Sequence, residues 1–142
     1  MTKVILGGIV GTTIMTLMMF FVRPILVGAP MDIAKEIGSQ MGGNWWLGMA
    51  VHVLIGAVIV PVLWYAVLSK FLPGPATVQG LLIGIGLWLL AMTVVMPMMG
   101  KGLFLTANGE GPKAIVAAFM AHAVYGLLLG KIGSLQPAAN QE

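Results

Sequence analysis

The chain has no cysteine among its 142 residues, which excludes disulfides, thiolate metal centres, iron–sulfur clusters and cysteine nucleophiles. Charge is nearly as scarce. Seven Lys and Arg and four Asp and Glu make up 8% of the chain, against 59% hydrophobic residues. A soluble domain carries roughly 25% charged residues, so most of this chain meets lipid. No acidic residue falls inside an apolar run, so the sequence offers no carboxylate pair for acid–base catalysis. Ser39, Ser69 and Ser134 lie in loops or at segment ends, leaving no Ser-His-acid arrangement. The glycines of Gly80–Gly86 have no basic residue among them and sit in an apolar run, so they are not a phosphate loop. The basic residues are scattered at segment ends, which excludes a nucleic-acid footprint. No polar track of the kind that lines a channel or transporter runs through the apolar segments.

What remains is four apolar runs, near Val4–Val22, Trp45–Leu68, Thr77–Met99 and Lys113–Lys131. Each approaches the roughly 20 residues that a bilayer core requires. The first is too long for a signal-peptide core, and Pro30 after Val27-Gly28-Ala29 would hinder cleavage, so it reads as a true span. Four spans put both termini on one side, with Lys3, Lys70 and Lys131. Arg23, Lys35, Lys101 and Lys113 lie on the other with Asp32, Glu36 and Glu110. The tight Leu72-Pro73-Gly74-Pro75 turn favours the first side as cytoplasmic. Ile33, Ile37 and Met41 recur every four residues behind Asp32, which predicts a short interfacial helix or a packed capping loop. Trp45-Trp46 and Trp64-Tyr65 read as interfacial anchors, and Asn108-Gly109 as a turn. Residues 1–133 are expected to form one membrane domain, and 134–142 a disordered polar tail.

The chain has two histidines, and both sit deep in apolar runs. His52 precedes Gly56 by one helical turn, and His122 precedes Gly126 likewise. Met15-Thr16 recurs as Met92-Thr93, with Pro24 and Pro97 downstream. These matches pair spans one and two with spans three and four and predict an internal two-helix repeat about an axis along the membrane normal. In an up-down antiparallel bundle, that axis points both imidazoles toward one interior region. Gly56, Gly126, Tyr125 and Trp88 are expected near it.

An imidazole in hydrocarbon needs a partner or a ligand. One reading is helix packing, in which the rings bond Thr16, Thr93 or a carbonyl. A second is a b-type haem ligated by His52 and His122, with Gly56 and Gly126 making room for the macrocycle beside Tyr125 and Trp88. A third is copper held by the imidazoles and Met thioethers, with Met15, Met18, Met92 and Met96 near the histidine depth; twelve methionines spread over the chain make most of them core filler or lipid contacts.

Several segments together resemble the YagU-like family of small bacterial inner-membrane proteins of unknown function. They are the Met-Thr motif of span one, Asp32-Ile33-Ala34, His52-x-x-x-Gly56, Met96-Pro97-Met98-Met99-Gly100-Lys101-Gly102 and Ala121-His122-Ala123-Val124-Tyr125-Gly126. The resemblance implies four spans in a prokaryotic cytoplasmic membrane and no established activity. The expectation is therefore an all-α, four-transmembrane-helix antiparallel bundle. It would serve as a non-enzymatic accessory or structural subunit, associating with other membrane subunits or with itself. A haem-binding cytochrome is the alternative.

Overall fold

The computed structural model describes residues 1–107 and 109–134. Asn108 of the predicted turn and the predicted tail from residue 135 onward lie outside the described residues. The described residues form helices and turns, with no strand among them. The helices in chain order are α1 Thr2–Val27, α2 Ile33–Ser39, α3 Trp45–Lys70, α4 Ala76–Met98 and α5 Gly111–Gly133. All but α2 are 23 or 26 residues long, with mean hydropathy of 1.8 or more over their most apolar stretch. At about 1.5 Å per residue they can cross a hydrocarbon core of roughly 30 Å. The protein is a membrane protein with four candidate spans, at the positions of the four apolar runs.

Three spans change hydrogen-bond register just before a proline. The N–H groups of Arg23, Val60 and Met96 each bond the carbonyl five residues back, on Met18, Ile55 and Ala91. Pro24, Pro61 and Pro97 follow directly. A proline ring strikes the carbonyl four residues behind it and leaves that carbonyl without a donor. Widening the helix by one π turn moves the carbonyl aside while the span stays continuous. In α5 the proline is Pro112, in the first turn, where no donor is required, and the helix runs without a widening.

α5 packs along both α1 and α4, and α3 packs on α1 and α2, whereas α3 and α4 make no extensive contact with each other. Glycines set these close approaches. A Cβ at Gly126 would overlap the Gly80 carbonyl oxygen, and one at Gly84 the His122 carbonyl oxygen. A Cβ at Gly8 would strike the Pro61 ring, and one at Gly48 the Ala34 carbonyl. Lipid tails are as apolar as leucine, so close van der Waals packing of small residues must supply much of the helix association.

Polar side chains close the two ends. Asp32 caps α2 by accepting from the Lys35 N–H at 3.0 Å and also accepts from the Trp45 indole at 2.9 Å. Arg23 is buried at 3% exposure and donates to the Ala29 carbonyl and to Glu110. Lys101 pairs with Glu36 at 2.8 Å. At the other end, the Trp64 indole donates to Gln79 at 3.0 Å, and the Gln79 amide donates to the Leu72 and Gly74 carbonyls. Of the pair read as interfacial anchors, Trp64 is buried at 4% exposure as a strut on Gln79, while Tyr65 beside it is exposed.

Candidate functional site

Two apolar clusters fill the interior. One is built on Met19, Met92, Met96, Ala118 and Ala121, the other on Val60, Trp64, Tyr125 and Leu129. At their junction all four spans line a cavity of about 230 Å³. Both histidines are on its wall, with Thr12, Thr16, Gly56 and Tyr125. α2 contributes Ile33 and Ile37 to the wall, so its apolar stripe faces inward, while Met41 is exposed. A larger hollow of about 610 Å³ lies at the opposite end, around Met1, Lys3, Tyr65 and Gln79, away from the histidines.

The hydrogen bonds fix which ring nitrogens are committed. The His122 Nδ1 lies 2.8 Å from the Ala118 carbonyl oxygen. A carbonyl only accepts, so Nδ1 carries the proton and Nε2 keeps its lone pair. The Thr16 hydroxyl donates to the Thr12 carbonyl at 2.8 Å and lies 3.0 Å from the His52 Nε2. Its proton is spent on that carbonyl, so the His52 Nε2–H donates to it and Nδ1 holds the lone pair. His52 therefore ties α3 to α1, as the packing reading expects. His122 bonds its own helix, and Thr93 turns away to bond the Leu89 carbonyl.

Tyr125 is buried at 2% exposure and donates its hydroxyl to the Gly56 carbonyl at 2.7 Å, joining α5 to α3. Its ring also fills the space beside Gly11. The proton of every polar group considered so far is spent on another protein group. Thr12 is the exception. It is 4% exposed, and its hydroxyl has no partner, although Thr13, Thr16 and Thr93 all bond the carbonyl four residues back.

Two of the predicted site residues lie off the cavity wall. Gly126 is packed against Gly80 and Gly84. Trp88 stands edge-on to Phe104 and Phe119, at centroid distances of 5.8 and 5.2 Å. The arrangement does not fit haem b. A cavity of about 230 Å³ is below the roughly 300 Å³ at which pockets for drug-sized ligands begin. The position meant to admit the macrocycle at Gly126 holds the α4 backbone, and the His52 Nε2 is held by Thr16.

Sequence reasoning placed Met15, Met18, Met92 and Met96 near the histidine depth; Met18 is off the cavity wall, and Met19 and Met31 were missed. Met15, Met19, Met31, Met92 and Met96 all line the cavity. The signal was present: Met15 to Met92 and Met19 to Met96 are both separations of 77, each pair one turn apart on its span.

Fold and site together define a polytopic α-helical membrane protein with a small histidine- and methionine-lined interior cavity. The chain belongs to a family of unknown function, DUF6789, whose model matches residues 1–141. No curated protein and no solved structure matches it.

Proposed function

We propose that the protein is a non-enzymatic membrane subunit that holds a small ligand in the cavity between its spans. The observation that carries this reading is that both histidines line one partly open cavity, and that the His122 ring spends its Nδ1 proton on the Ala118 carbonyl and keeps the Nε2 lone pair. A ring turned by a carbonyl bond on one nitrogen and free on the other is the usual posture of a ligating histidine. The hydroxyl–imidazole pair on that wall, Thr16 and His52, has the ring donating to the hydroxyl rather than taking its proton, which is why binding is favoured over catalysis. The accessory role is part of this reading. α3 and α4 make no extensive contact with each other, and Ile55 and Leu90 on the cavity wall are exposed, which suits other membrane subunits or a second copy.

The finer architecture belongs to the same proposal. The spans form an antiparallel bundle built from an internal two-helix repeat, supported by the shared spacing of the four cavity methionines. The bundle sits in a prokaryotic cytoplasmic membrane with both termini cytoplasmic. Kinship with YagU-like proteins rests on the shared motifs.

Native mass spectrometry of protein taken gently from its membrane tests the binding function. Wild type should carry a small non-covalent adduct. Ala91→Phe, which places a ring into the cavity wall, should lose it. Identical adduct-free spectra for both would overturn the reading.

A further inference from the structure

The geometry points to a soft monovalent metal cation, Cu(I) or its analogue Ag(I), as the ligand of this cavity, and we propose that the His122 Nε2 and the thioethers of Met15, Met19, Met92 and Met96 bind it. This deepens the proposed binding function and rests on it.

The chemistry selects this class by elimination. The His52, His122, Thr16 and Tyr125 protons are all spent on protein acceptors, so these groups offer an occupant lone pairs rather than hydrogen-bond donors. A quinone or carbonyl ligand needs donors, and Thr12 is the one group on the wall whose hydroxyl proton is unspent; a cation needs lone pairs, which the wall offers in greater number. The available nitrogen and sulfur lone pairs are those of the His122 Nε2, the His52 Nδ1 and the thioethers, which are donors suited to Cu(I). No group of three or more His, Cys, Asp or Glu able to hold a metal occurs among the described residues, which removes the donor sets that zinc, iron or divalent copper prefer. Charge argues the same way. The Born penalty for an ion in hydrocarbon rises with the square of its charge, and no carboxylate lines the cavity to offset a divalent ion.

Two observations separate this from ordinary core filling by methionine. The four methionines share one sequence separation between α1 and α4, and Met19, Met92 and Met96 are 3–5% exposed on the wall of the same space as His122. Thr12, also on that wall, keeps a buried hydroxyl without a partner, an arrangement that a bound occupant would relieve.

The test is titration of detergent-purified full-length protein with Ag(I), and with Cu(I) kept reduced by ascorbate, against a competing chelator. Wild type should bind one equivalent. The Met92→Leu/Met96→Leu double variant keeps the volume but removes two thioethers, and should bind at least about tenfold more weakly. Met120→Leu, outside the cavity, should match wild type. X-ray absorption of the wild-type complex should show sulfur and nitrogen neighbours together. No binding, or binding equal in the double variant and wild type, would overturn the metal assignment. A non-metal adduct that Ala91→Phe abolishes would also overturn it, while leaving the proposed binding function standing.

Discussion

At the residue scale, His52 and His122 show how one residue type in one local setting reaches two different ends. Thr16 and His52 form a part-buried side-chain bond between spans. Interhelical bonds of this kind contribute on average about 0.6 kcal/mol, and at most about 2. Thr16→Val and His52→Ala should each destabilise by that order, and the double variant by no more than the larger single effect. Unfolding in mixed micelles measures this cycle; fully additive losses would show that the two side chains do not interact. The sequence made the histidines conspicuous because an ionisable ring in an apolar run has few explanations. It did not reveal that His122 would bond backward along its own helix. A carbonyl four residues back is available to any helical side chain of the right length, so pattern alone cannot choose between it and a neighbouring span. The methionines were only partly legible, with Met15, Met92 and Met96 reached and Met19 and Met31 not, for the opposite reason. Twelve of them in an apolar chain hide the four that share a spacing.

At the scale of elements, the spans were legible from length and hydropathy, and their packing lines were not. Gly84 and Gly86 are two residues apart on α4, and sequence treats them alike. Gly84 faces the His122 carbonyl, while Gly86 has nothing near it. Gly84→Ala should therefore destabilise by roughly 1–3 kcal/mol through overpacking against backbone that cannot yield. Gly86→Ala should change stability by less than about 1 kcal/mol. Thermal unfolding in detergent compares the two, and equal effects would refute the close approach of α4 to α5. The π turns carry a further consequence. Pro97→Ala restores a donor and removes the ring that forces the widening, so the Met96 N–H should return to the carbonyl four residues back. Amide chemical shifts across Ala91–Met98 should move toward regular α-helix. Unchanged shifts would mean that neighbouring packing, not the proline, holds the π turn. The prolines were visible in the sequence; how each span would absorb its proline was not, because a kink and a π turn satisfy the same missing bond.

At the scale of the whole molecule, the ion pairs and caps gather at one end, around Arg23, Asp32, Glu36 and Lys101. The helix turn braced by Gln79 lies at the other. With no native cysteine, single-cysteine variants report topology cleanly. Ser39→Cys and Thr106→Cys should react with an impermeant maleimide from one side of the membrane, and Lys70→Cys and Ser134→Cys from the other. Reaction of Ser39→Cys and Ser134→Cys from the same side would contradict four crossings. Packing of α5 on α1 and α4, with α3 packed on α1 and bonded to α5 through Tyr125 and Gly56, brings histidines from two non-adjacent spans onto one cavity. That convergence supports every functional statement made for the protein. Its most direct test is a His52→Cys/His122→Cys variant treated in the membrane with a thiol crosslinker shorter than a helix diameter, about 10 Å. The pair should crosslink within one chain, as should the control pair Thr16→Cys/His52→Cys. A control that crosslinks beside a histidine-site pair that does not would place the two histidines in separate surroundings and remove the shared cavity.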